Sequence, residues 1–321
     1  MTPVRSGSGL PQPTPRIPSI LKFLIAVALA AIVYYIYSSQ NPEHNVRPFP
    51  SPNPAPKPDP LRLLSDAVSK AVEALHQDFF MLLPDTQALV RKAAVYADSM
   101  KPNPSWEIYL LRGLQYLREQ NFDAARRFIY RAAEEAPDEN LPLYAKVNYD
   151  LLYDFESPVA ESKSKIPEML AKAIHRNPDD PIPHVLLGRY YRRLPEALPK
   201  ALGHFQLALI LDNRNYAAIH GAAETLLDLE ECDAAAALLQ DAITQENKIY
   251  QLWFALSRAY ICQAQREAAL DVLAEACALN PVICTNNIYA DPDFEWLVND
   301  VAQIEELYVR VQAYTHPMPL Y

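Results

Sequence analysis

The chain has 321 residues, 50% of them hydrophobic and only six of them Gly, with a formal net charge of −10. Residues 1–60 hold five Lys/Arg and two Asp/Glu, leaving 24 and 37 beyond residue 60, so that later part carries about −13. This balance argues against nucleic acid as a partner, because phosphates call for a basic footprint. The high Ala content and the lack of alternating β-branched runs argue against a sheet.

In chain order, residues 1–19 form a short tail, and no Asp or Glu occurs before Glu43. Arg5, Arg16 and Lys22 precede the apolar run Phe23–Tyr37, which with its flanks (20–38) has the roughly 20 residues needed to cross a bilayer as a helix. Lys22 suits one boundary, and Tyr34, Tyr35 and Tyr37 suit the opposite headgroup belt. The rival reading is a cleaved signal peptide, with Ala28-Leu29-Ala30 as the small-residue site; the apolar run continues past that point, which favours an anchor. The basic residues before the span set the N-terminus in the cytoplasm and the remainder on the far, periplasmic side. No Cys follows the span until Cys232, which excludes a lipoprotein anchor.

From Pro48 to Pro60 every second residue is Pro. Each Pro fixes its own φ and extends its predecessor, so the segment 39–60 is expected to be a stiff spacer of about 40 Å in polyproline II form, with an ordinary disordered linker as the alternative. Its even spacing contains no P-x-x-P, which removes the SH3-ligand reading. Asp59 and Pro60 then read as an N-cap and first-turn Pro. A helix with the stripe Leu64, Val68, Ala71, Val72 and Leu75, paired with a second over about 86–100, is expected to cap the domain within 61–103.

The segment 104–281 repeats itself. Around Tyr250, Trp253, Leu256, Ser257 and Tyr260 share one helix face, Ala269, Leu273 and Ala276 share a second, and Pro281 closes the unit. Thirty-four residues earlier, Tyr216 begins a unit with Ala223, Leu226, Ala235, Leu239 and Ala242 in the same places and Asn247 where Pro stands. Leu187, Gly188, Tyr191, Ala201, Phe205 and Ala208 give another, with one extra residue in its turn around 194–199. Trp106, Tyr109, Gly113, Tyr116, Ala125, Ile129, Ala132 and Pro137 give a further one, with Arg112 in the usual Leu position. A degenerate copy keeps Leu170, Ala173 and Pro178 but lengthens its turn through 156–165. This pattern resembles the tetratricopeptide repeat, a 34-residue pair of helices.

The resemblance implies an all-α solenoid with units near 106–139, 141–180, 181–215, 216–249 and 250–283, followed by a C-terminal cap over 284–321. Asp291-Pro292-Asp293 is expected to start a short helix bearing Phe294, Trp296 and Leu297. A longer helix over about 301–314 then presents Ile304, Leu307, Tyr308 and Val311.

Catalytic signatures are missing. The chain carries no phosphate-binding Gly loop, no G-x-S-x-G and no H-E-x-x-H, so neither an enzyme nor a cofactor is expected. The seven His are scattered and the four Cys lack C-x-x-C spacing, so no metal site is expected. Cys262 and Cys277 fall at opposite ends of antiparallel helices. Cys277 and Cys284 lie near one end and can pair in an oxidising compartment. The favoured expectation is that the cysteines are buried small hydrophobes.

In the family the concave groove is lined by first-helix residues. Here these are Val185, Arg189, Arg192 and Arg193, then Ala217, His220, Glu224 and Asp228, then Gln251, Phe254, Arg258 and Ile261. Arg189 and Arg193, one turn apart, are candidates to grip a carboxylate, with Phe254 packing an apolar side chain beside it. The alternative is that these Arg side chains pair with Glu224 and Asp228. The chaperone-binding subset uses a Lys and an Asn one turn apart. Val185 and Arg189 (or His220 and Glu224) stand there, so that activity is not implied. The expected role is a membrane-tethered scaffold or assembly factor for envelope proteins. The alternatives are a periplasmic chaperone-like accessory of a secretion machine and, if the leader is cleaved, a soluble secreted binder.

Overall fold

A computed structural model describes residues 60–78, 80–97, 105–154 and 162–315. The expected anchor at 20–38, the X-Pro spacer and the Asp59 cap lie outside the described residues. Among those described there is no strand, and no helix is long and apolar enough to cross a membrane.

Fifteen α-helices follow one another among the described residues: α1 (Pro60–Gln77), α2 (Pro84–Ala97), α3 (Trp106–Arg118), α4 (Phe122–Glu135), α5 (Asn140–Tyr149), α6 (Ser162–Arg176), α7 (Ile182–Arg192) and α8 (Leu198–Leu211). They continue as α9 (Tyr216–Asp228), α10 (Cys232–Gln245), α11 (Tyr250–Cys262), α12 (Arg266–Leu279), α13 (Pro281–Ala290), α14 (Glu295–Val298) and α15 (Val301–Thr315). Apart from α5 and α6, each helix packs on the next, and α5 reaches α7 instead, so the array is built from near-neighbour contacts and its core divides into four successive apolar clusters.

The turns inside the units show the repeat most directly. Gln120, Glu230 and Ala264 take positive φ (58°, 62° and 60°) between the two helices of their units. The amide that follows each one reaches back five residues, Asn121 to Tyr116, Glu231 to Leu226 and Gln265 to Tyr260, at 2.8–2.9 Å. This left-handed closure satisfies the last carbonyls of the first helix and turns the chain back. Glu230 and Ala264 stand one 34-residue repeat apart. The α7–α8 turn is instead a 3-10 segment, Pro195–Ala197, which takes up its extra residue.

Small residues let the helices close. Phe205 of α8, 0% exposed, lies between Gly188 of α7 and Gly221 of α9; a Cβ on either would come within 2.7 Å or 2.3 Å of its ring. Ser257, likewise buried, turns its hydroxyl onto the Phe254 carbonyl at 2.7 Å and so sits in the α11–α12 contact without an unmet donor.

Three departures from the sequence reading stand out. The degenerate unit does not extend its turn through 165, because residues 162–165 already belong to α6. Its first helix runs on instead as a π-turn, Asp150–Asp154, in which buried Asp150 accepts a hydrogen bond from the Tyr130 hydroxyl at 2.5 Å. Pro281 does more than end a unit: it is the first residue of α13, a helix not foreseen, with Asn280 as its N-cap. Asp291 then caps a 3-10 turn rather than an α-helix, and Phe294 and Leu297 are fully buried beneath α15, which lies against α12.

The cysteines correct the favoured expectation, since all four are bridged. Cys277 pairs with Cys284 and Cys232 with Cys262, with Cα separations of 5.0 Å and 5.8 Å. The second pairing joins adjacent units. The second helix of one unit runs antiparallel to the first helix of the next, so the start of α10 meets the end of α11.

Candidate functional site

The inner faces of α7, α9 and α11 form the candidate site. A ladder of charge crosses them. Arg192 grips Asp228 with both Nε (2.6 Å) and Nη2 (3.3 Å), and its Nη2 also donates to Glu224 at 3.0 Å. Glu224 accepts from Arg258 Nη1 at 2.6 Å, and Arg258 Nε donates to Asp293 at 2.9 Å and meets Asp291 at 3.2 Å. Glu224 and Arg258 are 34 residues apart, so one repeat position carries opposite charges in consecutive units and they meet across the interface.

Glu224 is 7% exposed. Burial pushes its pKa up, but His220, Arg258 and Arg192 outweigh that and hold it below the ordinary value. Burial would lower Arg258, but Glu224, Asp293 and Asp291 overcome it and raise the value. His220, one turn from Glu224, has its pKa lowered to about 4, first by burial and then by the facing Arg189, Arg192 and Arg258, against the pull of Glu224. It is neutral at pH 7.

Two clefts of about 450 Å³ each flank the ladder, within the size range of small binding sites. One lies among Leu151, Leu152, Arg189, Arg192, Arg193 and Asp228. The other lies among Tyr250, Gln251, Phe254, Arg258 and Asn287, with Asp291 at its edge. His220 lines both.

The candidate residues fare differently. Arg192, His220, Glu224 and Arg258 come together in the ladder. Val185 does not line the groove: it is fully buried with Phe205, Ala217 and Ala222, because α7 and α9 close on each other there. Phe254 reaches the wall of the second cleft but is 9% exposed, with its ring 5.1 Å from that of Phe294 in the C-terminal cap. Arg193 is exposed at the end of α7 and lines the first cleft. Arg189 is not paired with it in a carboxylate grip. Its guanidinium lies 4.1 Å over the Phe80 ring and donates to Asn148 at 2.9 Å, and burial lowers its pKa to about 10.

Asn148, Leu152 and Phe80 were missed because each reaches the site from another unit. Asp291 and Asp293 were seen only as a cap. Their spacing from Arg258, close to one repeat, was the available signal.

No protein-family model and no characterised protein sequence matches the chain. Solved structures do. TTC0263, a thermophilic TPR (tetratricopeptide repeat) protein in Thermus thermophilus, superposes with a TM-score of 0.50 at 19% identity, over 64% of this chain and 99% of that one. The chain has the tetratricopeptide-repeat fold. A Rap protein complexed with Competence and Sporulation Factor matches with a TM-score of 0.55 at 12% identity, over 93% of this chain and 90% of that one. At such identities the likeness is one of TPR architecture.

Proposed function

We propose that this chain is a membrane-tethered protein-interaction scaffold that holds an extended segment of a partner protein along the inner face of α7, α9 and α11. The observation that carries the reading is the pair of clefts separated by the Arg192–Glu224–Arg258 ladder. With its charges already matched, the ladder is a rigid polar floor on which main-chain amides and short polar side chains can rest. The clefts on either side accept larger side chains. The fold supports a protein ligand, as in the Rap protein solved with Competence and Sporulation Factor. The apolar run 20–38 supplies the tether, and the X-Pro segment holds the repeats off the lipid. Two disulfides suit an oxidising compartment, which agrees with repeats on the non-cytoplasmic side.

The test uses the full chain in its native membrane. Leu152→Trp with Gln251→Trp fills both clefts and removes no ion pair. Cross-linked partner recovery should fall at least tenfold with an unchanged melting temperature. Undiminished recovery refutes the inner face as the docking site. Alkaline carbonate extraction tests the tether separately: the protein should remain in the pellet, and release into the supernatant would refute an anchor.

A further inference from the structure

The α1–α2 connection leaves the end of the solenoid where its two helices stack. Both helices contact α3, the neighbouring unit. Their connecting loop reaches much further along the chain. Phe80 packs against the apolar cluster around Phe205 and lies under Arg189 of α7. Leu82 touches that cluster and the next one, around Leu239, which Leu83 also meets. The loop therefore rests on the first helices of two units more than 100 residues downstream in sequence, beside Ile182, Tyr216 and Ala217. In position it is a tight turn laid across the inner face, closed by the Met81 amide on the Asp78 carbonyl at 3.0 Å.

The loop is held by its own polar groups. The Asp78 carboxylate accepts from the Leu82 amide at 2.9 Å and the Leu83 amide at 2.8 Å, and Gln87 Nε2 donates to the Met81 carbonyl at 2.8 Å. Met81 is held at φ 51°, a left-handed conformation that a Cβ-bearing residue adopts at a cost. Yet the loop does not fill the surface it covers. A cleft of about 420 Å³ remains between Phe80, Leu82 and Leu83 on one side and Ile182, Tyr216 and Ala217 on the other. A segment that is strained, that leaves a cleft beside it, and that touches the array through the four apolar side chains Phe80, Met81, Leu82 and Leu83 is one that a better-fitting segment can replace.

We propose that the inner surface over α7 and α9 is a binding site for a turn-forming peptide of the pattern aromatic-x-Leu-Leu, and that the chain's own Phe80-Met81-Leu82-Leu83 is its resident occupant. A partner segment of that pattern displaces the loop, placing its aromatic ring under Arg189 and its two Leu side chains against the clusters around Phe205 and Leu239. The inference rests on the inner face being the docking surface, and it adds which ligand is read there and what keeps the site closed without one.

The probe is a fluorescein-labelled peptide of residues 78–85, Asp-Phe-Phe-Met-Leu-Leu-Pro-Asp, with its scrambled sequence as control. Binding to the full chain in detergent is followed by anisotropy. The wild type should bind weakly, because its own loop competes at an effective concentration on the order of millimolar. The Phe80→Ser/Leu82→Ser variant, with its site vacated, should bind at least tenfold more tightly, and neither protein should bind the scrambled control. Leu211→Arg, at an exposed position lining the same cleft, added to that variant should abolish the gain. Equal affinity for wild type and variant, with circular dichroism unchanged, overturns the proposal. Should the double variant lose helicity, Asp78→Ala, which removes the acceptor for the two loop amides and for the Thr86 side chain but no apolar contact, is read in the same way. Unfolding of both variants would make the loop a permanent part of the core and would also overturn it. Reduced partner recovery from the Leu152→Trp/Gln251→Trp chain alongside absent peptide binding would remove only the occupant and leave the docking face standing.

Discussion

Glu224 shows at the scale of one residue why this inner face is polar and still ordered. A buried carboxylate between two guanidiniums replaces its lost hydration with hydrogen bonds of 2.6 Å and 3.0 Å. Beside it, His220 stays neutral because burial disfavours its charged form and three cations face it. The sign of the resulting pH dependence follows. The folded value of about 4 lies below the ordinary 6.5, so on acidification the unfolded chain takes up this proton first. Stability is therefore full above pH 6.5 and declines towards pH 4, by up to about 3 kcal/mol. Glu224 adds a loss in the same direction at still lower pH, since its folded value is also depressed. The melting temperature measured from pH 7 to 4 should fall, and His220→Gln should flatten that slope. A wild-type curve with no decline over this window would refute the neutral imidazole.

At the scale of the element, the unit is a helix pair whose two backbones meet through small residues. Ala269 of α12 is 1% exposed in that contact. Ala269→Trp forces an indole into space that holds a methyl group, and it is expected to destabilise the protein by about 3 kcal/mol, at the upper end for overpacking. Urea unfolding followed by circular dichroism reads this out, and a wild-type midpoint would show that Ala269 lies elsewhere. The same scale explains which parts of the sequence were legible. Trp253, Leu256, Ser257 and Tyr260 announce a helix face because they recur with helical spacing, and the 34-residue step from Glu230 to Ala264 reappears as one turn conformation in both units. Helix α13 was not legible as a helix, since Pro281 reads equally as the end of one element and the first turn of the next.

At the scale of the whole molecule, disulfides tie consecutive layers together. Cys232–Cys262 fastens α10 to α11, and Cys277–Cys284 fastens α12 to α13, so two successive joints of the C-terminal half are covalent. With 30 residues between its ends, the first bridge restricts the unfolded chain by about 3.5 kcal/mol in the loop-entropy account. Cys232→Ser with Cys262→Ser should accordingly lower the melting temperature of the oxidised protein by several degrees and leave the helical content intact. Added reductant should lower the wild-type melting temperature and leave this variant less changed. Equal melting of the two proteins under oxidising conditions would refute the bridge.

The periodic placement of apolar and small residues determined, without tertiary information, that the chain folds as paired helices in a 34-residue rhythm, because each helix must bury a stripe and helical spacing is a local property. The inner face was named from the resemblance to the tetratricopeptide repeat. Tertiary structure alone decided what that face contains: Val185 sealed beneath α9, Arg192 and Arg258 committed to Glu224, and Arg189 stacked on Phe80. These outcomes depend on the small rotation from each unit to the next, which accumulates over the array. That rotation is set by the volumes packed between the helices, such as the Phe205 ring between Gly188 and Gly221, and no periodicity along the chain encodes their sum.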